Sequence, residues 1–173
     1  IASGVLTRGK LVWTSGVNNG LAVEVKAHSS SAGVSRIAIA LPMGAPVVDG
    51  DTFVAEVEGT RERVRLIGID TPEIAREGGA VTGEPWGDAA KARLAELAEG
   101  RTVILVRDVS DRDAYDRLLR YVYLEDGTFI NQILAQEGWA DVKRYPPDTA
   151  RQSELEQAEA DAKSSGLGIW SGH

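Results

Sequence analysis

The sequence of 173 residues contains no cysteine, only two histidines and one methionine. The lack of cysteine excludes disulfide bonds and metal sites with thiolate ligands. His28 and His173 are too isolated in the sequence to form a metal or catalytic site based on histidine. No apolar stretch approaches the ~20 residues that a membrane-spanning helix requires, so the sequence predicts no such helix. The chemistry must therefore come from carboxylates, arginines and hydroxyl groups.

The remaining composition is that of a globular domain, with 43% hydrophobic and 26% charged residues. The net charge is −7 and the sequence pI is near 4.9. This acidity disfavours general binding of polyanions, so any nucleic-acid site needs a local group of basic residues. Residues 1–46 carry four basic residues and one acidic residue, and the acidic excess lies in the remainder. We therefore expect an N-terminal extension of uncertain structure at 1–46 and one organised domain at 47–173.

Apolar and polar residues alternate on both sides of the turn sequence at 58–60, which predicts a β-hairpin. Strand patterns follow at 101–108 and 118–128. Helical periodicity predicts three helices, at 87–100, 129–138 and 148–166, and Asp148 or Thr149 is the candidate N-cap of the third. This order of elements predicts an α+β domain, a small β-barrel of about five strands with helices packed on it.

The hairpin region 49–73 carries the most informative polar residues. Carboxylate oxygens are hard ligands, so Asp51 and Asp70 suit Ca²⁺ or Mg²⁺, and a backbone carbonyl near Thr71 would add a third oxygen. Glu73, just beyond this pair, is placed to act as a general base on water. Arg65 offers a planar fork that matches a phosphate. Taken singly, each feature also fits an ordinary turn, a strand end or a surface ion pair.

A second phosphate-binding arginine has three candidates in the segment 111–123, namely Arg112, Arg117 and Arg120. Nothing in the local sequence distinguishes them. The two tyrosines of this segment, Tyr121 and Tyr123, alternate along a strand and are predicted to be residues of the sheet.

Four motifs in this order carry a resemblance: VDGDT (48–52), VRLIGIDTPE (64–73), DRDAYDRLLRYVY (111–123) and LGIWSG (167–172). Over about residues 47–170 the chain resembles the staphylococcal nuclease (thermonuclease) family. The resemblance implies an OB-fold barrel of five strands with three helices, and a Ca²⁺-dependent phosphodiesterase acting on DNA and RNA. It also implies cleavage at the 5′ oxygen to leave 3′-phosphates, a preference for single strands, a monomer, and a secreted or cell-surface location.

The resemblance also implies roles for individual residues, matched position by position. It implies calcium ligands at Asp51, at Asp70 and at the carbonyl of Thr71, a general base at Glu73, phosphate-binding arginines at Arg65 and Arg117, and nucleotide contacts at Tyr115 and Tyr145. The alternatives are a non-catalytic nucleic-acid-binding module of the same fold and a protein-interaction barrel. Such modules would be expected to lose carboxylates or arginines, and this chain has all of them.

Three features depart from the family pattern. Residues 1–46 have no counterpart, so either the first barrel strand is short or the RIAIAL segment (36–41) supplies it. The matched region is acidic. The glycine-rich link at 74–86 is expected to be mobile. The chain also begins at Ile1, from which we expect a processed or trimmed product.

Overall fold

The computed structural model describes residues 9–12, 22–25, 38–41, 47–57, 59–75 and 83–172. The chain divides into two compact units, Ile1–Gly33 and Val34–His173. The first contains an antiparallel pair of strands, β1 (Gly9–Val12) and β2 (Ala22–Val25). The second contains every other described element. Most of the link predicted to be mobile, residues 76–82, lies outside the described residues.

The described part of the second unit contains eight strands, three helices and one 3₁₀ turn. In chain order the strands are β3 (Ala38–Leu41), β4 (Val47–Asp49), β5 (Thr52–Val57), β6 (Thr60–Leu66), β7 (Ile69–Asp70), β8 (Val103–Val106), β9 (Leu118–Leu124) and β10 (Asp141–Val142). The helices are α1 (Gly87–Ala98), α2 (Ile130–Gln136) and α3 (Gln152–Ser164), and the 3₁₀ turn is Gly168–Trp170. The prediction of a mixed α+β unit with three helices is therefore confirmed. In the described part of the chain, no helix is both long and apolar enough to cross a membrane.

Six of these strands form one sheet in the order β3-β8-β9-β6-β5-β4. The predicted hairpin is present as β5 and β6, and the RIAIAL segment supplies β3, which pairs with β8. The expectation of a closed five-stranded barrel needs correction. Strand β4 adds a sixth member at one end of the order, and among the described residues β3, at the other end, meets β5 through two residue pairs. We therefore describe the element as a curved sheet and not as a closed barrel.

The core lies between the sheet and the helices. Its fully buried side chains come from strands and helices alike, among them Leu66, Leu105, Leu94, Leu134 and Leu155. Tyr121 is buried and Tyr123 stacks on Phe129, so both tyrosines belong to the packed sheet, as the alternation predicted.

One predicted cap is wrong. The third helix begins at Gln152, after Arg151, with no capping bond from a side chain. Asp148 is instead buried, and its carboxylate accepts hydrogen bonds from the backbone N–H groups of Val109 and Ser110, at 2.9 and 2.7 Å. Asp148 thus fixes the loop after β8 instead of the helix. The reason is tertiary, since the two segments are distant in sequence.

Strand register brings the candidate residues to one region. In the β5–β6 hairpin Thr52 lies opposite Arg65, and the parallel pairing of β6 with β9 sets Arg65 opposite Leu119. The loop that precedes β9, which carries Arg117, is therefore delivered beside the start of β5. The short strand β7 places Asp70 directly after the hairpin, where it pairs with Asp141 of β10.

Candidate active site

Arg65 holds Asp51 and Asp70 together. Its Nη2 lies 3.0 Å from Oδ2 of Asp51 and 2.9 Å from Oδ1 of Asp70. Its Nη1 donates to the backbone carbonyls of Leu66 and Ile69, both at 2.7 Å. Arg65 and Asp51 are buried, whereas the side chain of Asp70 is 47% exposed. The two predicted metal-binding carboxylates therefore converge on one positive group, with one open side at Asp70.

The carboxylate of Asp51 is the most constrained group of this cluster. It accepts hydrogen bonds from the Thr52 hydroxyl at 3.0 Å and from the Thr71 backbone N–H at 3.2 Å. Burial raises the pKa of Asp51 to about 7; Arg65 opposes this effect and the neighbouring Asp49 adds to it. Since burial penalises its charge, Asp51 is a carboxylate that additional positive charge would stabilise.

The turn before Asp51 has no room for a side chain. A Cβ added to Gly50 would lie 2.6 Å from Oγ1 of Thr71 and 2.8 Å from Cβ of Ala90 in α1. Only glycine allows this approach. The contact packs the Asp51 turn against both Thr71 and Ala90 of α1, which explains how Asp51 and Thr71, 20 positions apart, meet.

Arg117 reaches the same cluster through a threonine. Its Nε donates to Oδ2 of Asp113 at 2.7 Å, and its Nη1 donates to the Thr52 hydroxyl at 3.3 Å. Because Thr52 in turn donates to Asp51, its hydroxyl connects the two proposed phosphate-binding arginines by way of one carboxylate. Sequence reasoning missed Thr52, although it completes the VDGDT motif directly after Asp51.

The other two arginines of the segment are engaged elsewhere. Arg112 forms a bidentate salt bridge with Glu62, in which both N–O distances are 2.9 Å. Arg120 is buried and donates to Asp111 at 2.7 Å and to backbone carbonyls. Of the three arginines that the sequence left open, only Arg117 contacts Thr52. The structure thus separates candidates that local sequence could not.

Glu73 lies three residues beyond Asp70 and is exposed. Its backbone N–H donates to Oε2 of Glu84 at 3.0 Å, and its carbonyl accepts from the Glu84 N–H at 2.8 Å. Sequence reasoning missed Glu84, because eleven residues separate it from Glu73 and it belongs to no recognisable motif.

The two predicted nucleotide-contacting tyrosines are both exposed. Tyr115 is 72% exposed, and Arg117 lies over its ring at 5.5 Å. Tyr145 is 44% exposed. Partial burial raises the pKa of Tyr145, and the negative charges of Asp70 and Asp51 raise it further, against the opposing charge of Arg65. Both tyrosines therefore offer ring surface beside the charged cluster.

The oxygen donors of this cluster fit a hard cation. Among the residues that the structure describes, no three carboxylate or histidine side chains come close enough to form a metal cluster. What is present is a pair of aspartates, Asp51 and Asp70, that converge on the guanidinium of Arg65, and the buried Asp51 is a carboxylate that positive charge would stabilise. Such a set suits Ca²⁺, which accepts backbone carbonyl and water oxygens to complete its coordination. The predicted ligands Asp51, Asp70 and Thr71 are thus adjacent.

Comparison with known proteins is consistent with this geometry. A family model described as "Staphylococcal nuclease homologue" matches residues 63–172, which is more than half of the chain. The chain is 41% identical over 124 residues to a thermonuclease of Staphylococcus intermedius and 36% identical over 125 residues to one of Staphylococcus hyicus; each match covers 72% of both proteins. It is also 40% identical over 126 residues to the SPbeta prophage-derived endonuclease YokF of Bacillus subtilis (strain 168), a match that covers 72% of this chain and 42% of that protein. This chain belongs to the staphylococcal nuclease family.

Proposed function

We propose that this protein is a Ca²⁺-dependent nuclease that hydrolyses phosphodiester bonds of DNA and RNA. The observation that carries the proposal is the cluster of Asp51, Arg65 and Asp70, joined to Arg117 through Thr52. The relatives named thermonuclease and endonuclease support a nuclease activity for this chain.

In the proposed mechanism Asp51, Asp70 and the carbonyl of Thr71 hold the cation, and Ca²⁺ bound there would offset the negative charge of the substrate phosphate. Arg65 and Arg117 stabilise the charge that builds on the phosphate oxygens in the transition state. Glu73 orients the attacking water or removes its proton. Tyr115 and Tyr145 provide aromatic surface for the nucleotide.

The existing contacts of Arg65 limit how it can bind a substrate phosphate. Both of its terminal nitrogens already contact protein oxygens. A phosphate would therefore have to share Nη2 with the aspartates, and a cation between the aspartates would weaken their hold on the guanidinium. Arg117 has a single long bond to Thr52 besides its pair with Asp113, so it can turn toward substrate at lower cost.

The finer features of the activity are further parts of the proposal. Cleavage breaks the bond to the 5′ oxygen and leaves 3′-phosphates. Single strands are the preferred substrate, because base stacking on Tyr115 and Tyr145 needs accessible bases. We also propose a monomer that acts outside the cell or at its surface, where Ca²⁺ is abundant.

The test is cleavage of denatured DNA and of RNA by the purified protein, with Ca²⁺, with Mg²⁺ and with a chelator. We expect Ca²⁺ to support the highest rate and chelation to abolish it, with activity restored by added Ca²⁺. Mg²⁺ should support less, because its strict octahedral geometry suits an open three-ligand site poorly. Full activity in chelator would refute the metal assignment. Binding to a single strand without cleavage in any metal would instead show the non-catalytic binding module.

A further inference from the structure

The main chain around Glu73 is held by the segment that leads into α1. Glu84 accepts a hydrogen bond from the Glu73 N–H and donates one to the Glu73 carbonyl, at 3.0 and 2.8 Å. The first of these bonds is charge-assisted, because its acceptor is a carboxylate. Glu84 therefore holds the main chain of Glu73 at both its N–H and its carbonyl.

Two glycines let the backbone of residues 83–87 approach the backbone around Glu73 closely. A Cβ added to Gly87 would lie 2.5 Å from the carbonyl oxygen of Glu73, and one added to Gly83 would lie 2.8 Å from the backbone nitrogen of Ala75. Neither contact leaves room for a side chain. The backbone of 83–87 thus lies directly against that of 72–75.

The same helix also supports the turn that carries Asp51. Gly87 is the first residue of α1 and Ala90 lies one turn further, where it packs against Gly50. The start of α1 therefore fixes Glu73 and the Asp51 turn relative to one another. In the described part of the chain, the side-chain hydrogen bonds of Arg65 and Arg117 go to residues outside α1 and other than Glu84.

We propose that Glu84 is a positioning residue for Glu73. This inference rests on the proposed function, in which Glu73 acts on the attacking water. The backbone bonds of Glu84 set the position from which the Glu73 carboxylate reaches that water. Misplacing a catalytic group by about 1 Å can cost ~10²-fold in rate, so an exposed hydrogen bond with little effect on stability can have a large effect on turnover.

The central comparison is between Glu84→Ala and Glu84→Gln. Alanine removes the acceptor of the Glu73 N–H, whereas glutamine keeps a side-chain oxygen at that place and removes only the charge. We expect Glu84→Ala to lower kcat by roughly 10- to 100-fold with KM little changed. Glu84→Gln should stay close to the wild type. If glutamine were as damaging as alanine, Glu84 would act through its charge and the positioning role would be refuted.

A double-mutant cycle with Glu73→Gln tests whether Glu84 acts through Glu73. Residues that act as one unit show non-additive losses. We expect the double variant Glu73→Gln with Glu84→Ala to be no slower than Glu73→Gln alone. Losses that multiply would show that Glu84 affects turnover by another route and would overturn the inference.

Hydrogen exchange of the Glu73 amide gives a measurement that does not depend on activity. We expect this amide to exchange faster in Glu84→Ala than in the wild type and in Glu84→Gln. The matched control is Glu96→Ala, which removes one negative charge from α1, where the partner of Glu96 among the described residues is Arg93. It should change neither kcat nor the Glu73 amide.

Gly87→Ala provides a second variant, which disturbs the main chain of Glu73 at its carbonyl, from the helix side. Alanine is the better helix former, so this change should not prevent folding of α1, yet its Cβ must displace the Glu73 carbonyl. We expect its kcat to fall with KM retained. Unimpaired kcat in both Glu84→Ala and Gly87→Ala, while Glu73→Gln is impaired, would refute this inference alone. Full activity of Glu73→Gln would instead refute the role of Glu73 in the proposed function.

Discussion

Arg117→Lys is the sharpest test of the proposed site, because it keeps the charge and changes only the geometry. In the structure the guanidinium serves two partners at once, with Nε on Asp113 at 2.7 Å and Nη1 on Thr52 at 3.3 Å. A lysine ammonium is a single point donor. It can pair with Asp113 or approach Thr52, and in neither place does it present a planar fork to two phosphate oxygens.

The expected loss follows from this geometry. A charge-stabilising arginine in phosphoryl transfer contributes ~10³–10⁵ in rate. Lysine retains the charge but not the paired donors, so we expect kcat to fall by at least ~10²-fold, which corresponds to about 2.7 kcal/mol of transition-state stabilisation. The fold should tolerate the change, since the side chain is partly exposed and the Asp113 carboxylate keeps its bond from the Arg117 backbone N–H.

The neighbouring arginines are internal controls. Arg112→Lys disturbs the pair with Glu62 and the contacts of Arg112 with Asp116, none of which involves Thr52 or Asp51, so it should leave kcat nearly unchanged. Arg120→Lys should instead lower the melting temperature, because Arg120 is buried and bonded to Asp111 and two carbonyls, and an unsatisfied buried group costs about 1–3 kcal/mol.

The assay is kcat on a short single-stranded oligonucleotide in Ca²⁺, with folding checked by thermal melting. If Arg112→Lys abolished turnover while Arg117→Lys stayed active, the register of the motif would be wrong. The site built on Arg117 and Thr52 would then have to be abandoned.

Further expectations concern the base, a buried amide, an ion pair and the salt dependence of binding. Glu73→Gln should lower kcat by ~10²–10⁴-fold with binding of a single strand unchanged, and a rate within a few-fold of the wild type would mean that another group activates the water. Asn131 is fully buried; its side chain accepts a hydrogen bond from one strand amide and donates one to the carbonyl of residue 67. Asn131→Ala should therefore lower the free energy of unfolding in urea by about 2–5 kcal/mol, and a loss below ~1 kcal/mol would contradict these contacts. Hydrogen bonds from Arg93 lower the pKa of Glu137 in the folded state. Their stabilisation is therefore complete above the unfolded pKa near 4.5 and is lost as the pH falls through the lower folded pKa, so Glu137→Gln should destabilise the protein at pH 7 and progressively less as the pH falls below 4.5. Affinity for single strands should fall with salt at ~0.7 log unit per neutralised phosphate, and a slope equivalent to about eight contacts or more would show that local basic residues outweigh the net charge of −7.

Several features followed from the sequence because they depend on local chemistry and chain order. Helical periodicity and stop glycines identified three helices, and two-residue alternation with a turn between identified the β5–β6 hairpin. The four ordered motifs identified the family, which the comparisons confirm. The roles of Asp51, Asp70 and Glu73 also came from motif register, and they stay predictions until they are tested.

Other features were decided only by tertiary structure, because they depend on segments that are remote in sequence. Strand alternation could not choose the face of Arg65; cross-strand pairing with Thr52 and burial beside Asp51 did so. Asp148 had the sequence context of a helix cap, yet packing turned its carboxylate to the loop after β8.

The links between the proposed catalytic residues were invisible for the same reason. Thr52 acquires significance only because the parallel pairing of β6 and β9 carries Arg117 to its hydroxyl. Glu84 becomes significant only because two glycines let the segment that leads into α1 lie against the backbone of Glu73. A sequence specifies which side chains are available and how they alternate locally; the distances that join them arise when remote segments pack.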